Sequence, residues 1–140
     1  MLRLVLDTQI WLDWLVFSDP GAQALRKAVE DGRAEIWMDA ACEAELARVL
    51  AYDLGRHTLA PEARTLALAK ARGIAHRIES SLTDAQKKSL PRCRDADDQI
   101  FLEAALAARA DFLVTKDREL LKLAKRLLFK VAKPNSVIST

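Results

Sequence analysis

Apolar residues follow two rhythms along the chain. Residues 2–6, 34–38 and 112–115 are short apolar runs flanked by polar residues or turns, which predicts buried strands, and residues 127–131 predict a last one. Between them the apolar positions recur at helical spacing. A helix is expected over residues 10–17. The turn Ser18-Asp19-Pro20-Gly21 opens a second over 22–31, where Leu25 and Val29 stand four apart and Gly32 stops it. Asp39 caps a helix to about residue 54, and Pro61 opens a long one to about residue 79 with a break near Gly73. Residues 80–94 lack regularity and read as a loop. Residues 96–109 form a helix that is apolar nearly all round, hence buried on more than one side. A further helix runs from Asp117 through residue 125. Strands alternating with longer helices predict an α/β fold, a mostly parallel sheet with helices on both faces.

The length of 140 residues suits a single domain over residues 1–140, with few glycines or prolines to build linkers. A net charge of +2 does not by itself imply a nucleic-acid partner. Basic residues do gather late, at Lys116, Arg118, Lys122, Lys125, Arg126, Lys130 and Lys133, a stretch that could attract phosphates or form a solvated face. Cys42 and Cys93 make neither a metal pair nor a disulfide framework, which favours a reducing cytoplasm. Asp7 and Asp13 interrupt the apolar N-terminal stretch, so no membrane span and no secretory leader are expected.

In parallel sheets, ligands bind outside the carboxyl ends of the strands. Asp7 follows the first strand, and Asp117 lies just beyond the strand ending at Thr115. Either could equally cap a helix. Glu45 flanks the apolar stripe of Cys42, Leu46, Val49 and Leu50, where a carboxylate is costly unless paired, with Arg48 for example, or bound to a cation. Asp98 lies in the first turn of the apolar helix with Asp95 and Asp97 beside it, more acids than a cap needs. Carboxylates are ligands for Mg²⁺ or Mn²⁺ rather than zinc, and such a site activates water and neutralises phosphate charge. His57 and His76 have no ligand spacing. Trp11, Trp14 and Trp37 read as core or interface packing. Trp11 and Trp14, three apart on one helix, also suit a groove for a partner helix.

Four segments in order, Val5-Leu6-Asp7-Thr8, Ala44-Glu45-Leu46, Asp95-Ala96-Asp97-Asp98 with Phe101-Leu102, and Phe112-Leu113-Val114-Thr115-Lys116-Asp117, resemble a PIN domain, specifically the toxin-like PIN proteins of prokaryotic toxin–antitoxin systems related to VapC-type toxins. The resemblance implies a three-layer α/β/α fold and an Mg²⁺- or Mn²⁺-dependent endoribonuclease acting as a toxin. It maps the catalytic and metal-binding acids onto Asp7, Glu45, Asp98 and Asp117, supported by Thr8, Gln9, Asp95 and Thr115. It also implies an RNA substrate, a cognate antitoxin and a homodimer. The chain departs from the family at Gln9, where Asn is usual, so the amide's supporting hydrogen bond shifts. The alternatives are a non-catalytic PIN-like module that binds RNA or protein, and a phosphatase of the haloacid-dehalogenase type. The phosphatase would need an Asp where Gln9 stands.

Overall fold

The computed structural model describes residues 1–138. In chain order the elements are β1 (Leu2–Leu6), α1 (Thr8–Leu12), a π-helical turn (Asp13–Phe17), α2 (Pro20–Glu30), β2 (Ala34–Met38), α3 (Ala40–Leu50), α4 (Pro61–Ile74), β3 (Ala75–Arg77), α5 (Asp84–Ser89), α6 (Ala96–Ala107), β4 (Phe112–Val114), α7 (Arg118–Leu121), β5 (Lys130–Ala132) and α8 (Pro134–Ile138). Short 3₁₀ turns lie at Gly55–His57 and Ala124–Arg126.

The five strands form one sheet in the order β3-β2-β1-β4-β5, and every pairing is parallel. Successive strand residues point to opposite faces. Leu4, Val5 and Leu6 of β1 and Phe112, Leu113 and Val114 of β4 are all buried, so helices cover both faces at the sheet's centre. This is the three-layer α/β/α arrangement expected from the alternating pattern. β2 differs: Ala34, Ile36 and Met38 are buried while Glu35 and Trp37 are half-buried, so one face opens towards the β3 edge. The chain runs outward from β1 through β2 to β3, then crosses back to β4 on the other side of β1. That reversal puts a crevice at the carboxyl ends of β1 and β4.

Local signals account for most boundaries. The Asp19 carboxylate accepts the Gly21 N–H and Pro20 occupies the first turn of α2. Gly32, at φ +76°, ends that helix in the left-handed region, which a side chain would strain. Three expectations need correction. The helix expected to run to about residue 79 stops at Ile74, and residues 75–77 are the edge strand β3, where His76 stacks on Trp37 of β2 with ring centroids 5.0 Å apart. The loop expected over 80–94 contains α5, closed by a capping box in which Thr83 and Gln86 bond each other's backbone N–H. The last strand sits at Lys130–Ala132 rather than 127–131, because its register with β4 pairs Val131 with Leu113. Smaller differences occur at α3, which ends at Leu50, and after Leu12, where α1 widens into the π-helical turn.

Trp11 and Trp14 are 1% and 8% exposed, with ring centroids 5.9 Å apart. They are core residues, which removes them as the lining of a groove for a partner helix. Both cysteines are free thiols, and burial pushes Cys42 far above its ordinary pKa, so it behaves as a small apolar group. Among the described residues no helix is long and apolar enough to cross a membrane.

Candidate functional site

A cleft of about 400 Å³ opens at the carboxyl ends of β1 and β4, lined by Asp7, Thr8, Gln9, Glu45, Asp95, Asp97, Asp98, Phe101, Lys116 and Asp117. A larger hollow of about 660 Å³ adjoins it and shares Asp95, Asp98 and Asp117, but reaches neither Asp7 nor Glu45. The four acids come from four parts of the chain: the end of β1, the middle of α3, the first turn of α6 and the start of α7.

Asp7 is 6% exposed. Its Oδ1 accepts the Ile10 N–H at 3.0 Å, capping α1, and its Oδ2 accepts the Thr115 hydroxyl. Thr115, wholly buried, also accepts the Asp117 N–H at 3.0 Å, so one hydroxyl ties the first acid to the backbone of the last. Asp117 in turn caps α7 through the Glu119 N–H at 2.8 Å. Capping and cleft lining are therefore not alternatives here: Asp7 and Asp117 do both. The reason is geometric, since a helix that starts right after a strand places its capping residue at the sheet's carboxyl edge.

Glu45 is drawn to Arg48, whose Nη2 lies 2.6 Å from Glu45 Oε1 and 3.1 Å from Asp97 Oδ2. The acids at the start of α6 divide their work. Asp95 is the cap, accepting the Asp97 N–H at 2.9 Å; Asp97 pairs with Arg48; Asp98 faces the cleft. Gln9 also lines the cleft, and its Nε2 donates to Asp13 Oδ1 at 3.0 Å.

The electrostatics follow from this crowding. Burial, then the charges of Asp98 and Asp117, push the Asp7 carboxyl up to about 6, against the pull of Thr115 and the Ile10 N–H. Burial also pushes Asp98 up to about 6, aided by Asp117, Asp95, Asp97 and Glu45. An acid whose pKa is higher in the folded chain favours folding at low pH. That advantage is whole below the unfolded value of 3.8 and is lost as the pH rises through about 6. Asp98→Asn is therefore expected to raise metal-free stability at neutral pH by about 1 kcal/mol or less, since solvent screens this half-exposed group. It should also flatten the fall in stability between pH 4 and 6. Thermal melts across that range check it; a variant that melts lower at neutral pH would mean Asp98 holds the fold together instead.

Among the described residues, no three His, Cys, Asp or Glu side chains stand in an arrangement that could hold a metal ion together. Three of the four acids are instead held by partners of their own: Asp7 by Thr115, Glu45 by Arg48 and Asp117 by its helix start. The donor set itself is all carboxylate. In its wall Thr8 Oγ1 is buried without a hydrogen-bond partner. Such a wall fits a hard, water-rich cation, which takes one or two carboxylates directly and the rest through water.

Two neighbours of the acids escaped the sequence reading as site residues. Lys116, read as part of a basic stretch and of the fourth resembling segment but given no role, lines the cleft; Asp13, read only as a break in an apolar run, lies buried beside it with Oδ2 2.5 Å from Lys116 Nζ. The available signal was a carboxylate four residues after Gln9 inside an otherwise apolar segment.

The PIN domain family model matches residues 3–119. No curated protein matches the sequence. Solved structures similar in fold include the following two. VapBC2 from Rickettsia felis, bound to a DNA fragment from its promoter, is 18% identical with a TM-score of 0.61, over 94% of this chain and 97% of that one. PAE2754 from Pyrobaculum aerophilum is 16% identical with a TM-score of 0.63, over 99% and 93%.

Proposed function

The chain belongs to the PIN domain family, a family of nucleases, and from that premise we propose that it is a metal-dependent endoribonuclease, the toxin of a toxin–antitoxin pair. The observation that carries this reading is the convergence of Asp7, Glu45, Asp98 and Asp117 on one cleft at the carboxyl edge of the sheet. Asp7, Glu45, Asp98 and Asp117 would hold Mg²⁺ or Mn²⁺, directly or through water. When bound, the cation would supply an activated water and neutralise charge on the phosphodiester.

The chain's own residues have separable tasks. Thr115 fixes the Asp7 carboxylate and the backbone at Asp117. Arg48 limits the swing of Glu45. Asp95 starts α6 so that Asp98 faces inward. Thr8 offers a hydroxyl without a partner in the wall. An antitoxin chain, like the one in the Rickettsia felis VapBC2 structure, is the partner this reading calls for, with a homodimer and a cytoplasmic setting.

Single-stranded RNA incubated with the purified protein should be cut internally when Mg²⁺ or Mn²⁺ is added and left whole when a chelator is present. The same strand made of DNA should be cut much less. Cleavage that persists fully in chelator overturns the metal mechanism, and equal cleavage of DNA overturns the restriction to RNA.

A further inference from the structure

The cleft's acids make a poor landing place for a polyanion, and among the described residues that line it Lys116 is the one cation. We propose that Lys116 binds a phosphate of the RNA strand at the rim of the acid cleft, and that buried Asp13 holds it there. The proposal rests on the ribonuclease reading above.

Lys116 stands between two residues of the site, Thr115 and Asp117, so its backbone is fixed by the same hydrogen bonds that fix the acids. Its ammonium does not turn to those acids. It pairs with Asp13, 2.5 Å away, whose side chain is 5% exposed while that of Lys116 is 40% exposed. Asp13 Oδ1 is occupied by the Gln9 amide, and Asp13 opens the π-helical turn, a local widening that often marks functional positions. Burying a carboxylate is costly, and pairing it with a lysine that stays 40% exposed to solvent returns little net stability. Stability therefore explains this pair poorly. What the pair does achieve is to pin a long, flexible side chain in one place. An ammonium carries three donors. Asp13 takes one, which leaves the others for a phosphate at the cleft that Lys116 lines, beside acids that repel the rest of the strand. A phosphate next to the one being cleaved is the group that such a cation would meet.

The test measures binding of a short labelled oligouridylate to protein carrying Asp98→Asn, which prevents turnover, across a potassium chloride titration. Adding Lys116→Gln should weaken binding about tenfold and flatten the dependence of log Kd on log salt by about 0.7, the value of one phosphate contact on a single strand. Lys116→Arg should stay within about threefold of the parent. Asp13→Asn should weaken binding a few-fold even though it removes a negative charge, because the lysine loses its anchor. Parallel melts check folding, and Asp13→Asn keeps the test decisive if the glutamine variant unfolds, because loss of an acid beside an uninvolved lysine would leave binding unchanged or tighten it, which overturns the proposal. A salt slope and affinity unchanged by Lys116→Gln overturn the proposal while leaving the ribonuclease reading intact. Tighter binding by Asp13→Asn overturns the positioning role. An unsubstituted protein that neither binds nor cuts RNA overturns both readings together.

Discussion

Asp7→Asn is expected to lower RNA cleavage by about a thousandfold while leaving the fold in place. Asp7 is the deepest of the four acids, and the only one that is both buried and bonded on each oxygen. Removing its charge takes away the innermost carboxylate of the cleft, and a loss of about 4 kcal/mol of transition-state stabilisation corresponds to that factor. The fold should tolerate the change for opposing reasons. Asparagine caps a helix as well as aspartate does, so the Ile10 N–H keeps an acceptor. A carboxylate that burial holds at about 6 costs free energy at neutral pH, and that cost disappears. Against this, the Thr115 hydroxyl loses a charged acceptor, worth a little more than an ordinary hydrogen bond. The terms nearly offset, so the melting temperature should move by only a few degrees. Initial rates on labelled RNA, read beside a thermal melt, check both halves. Turnover at the parent's rate would remove Asp7 from the chemistry. A collapse of the melt would show that the loss of activity is a loss of fold.

The sequence announced this site unevenly, and the unevenness has physical causes. Asp7 and Asp117 were legible because a strand followed at once by a helix leaves a recognisable apolar run ending in a capping residue. Glu45 was legible because it flanks the apolar stripe of α3, and Asp98 because the start of α6 carries more acids than a cap needs. β3 was not. An edge strand of three residues, with His76 and Arg77 exposed, carries no period-two pattern, and it is held by pairing with β2 and by the Trp37–His76 stack. Such contacts join residues far apart in the chain and leave no local trace. The capping box of α5 was written locally, as Thr83 three residues before Gln86, but the helix is exposed and lacks an apolar face to advertise it. The Asp13–Lys116 pair joins residues more than a hundred positions apart, so only the fold reveals it.

Thr115→Val is expected to test whether the site works as a connected unit. Valine keeps the shape of threonine and removes the hydroxyl, and Thr115 is wholly buried, so no water replaces it readily. Two bonds go at once: the one donated to Asp7 and the one accepted from the Asp117 N–H. Stranding a buried carboxylate oxygen and a backbone donor should cost about 2–3 kcal/mol of stability at neutral pH. The hydroxyl is the strongest influence drawing the Asp7 proton affinity down, against burial. Without it the Asp7 carboxyl should rise above about 6, so a larger share is protonated near neutrality. If cleavage needs ionised Asp7, the rising limb of the pH–rate profile then moves to higher pH, and activity at neutral pH falls by more than activity at pH 8 or above. The stability loss has the matching sign. It should shrink as the pH is lowered towards 4, where Asp7 is protonated in parent and variant alike and its charge no longer needs the hydroxyl. Thr115→Ser, which keeps the donor, should restore the position of the pH limb even if the smaller side chain leaves the protein less stable. A valine variant whose pH limb coincides with the parent's would show that Thr115 supports the backbone at Asp117 and leaves the Asp7 charge to other groups.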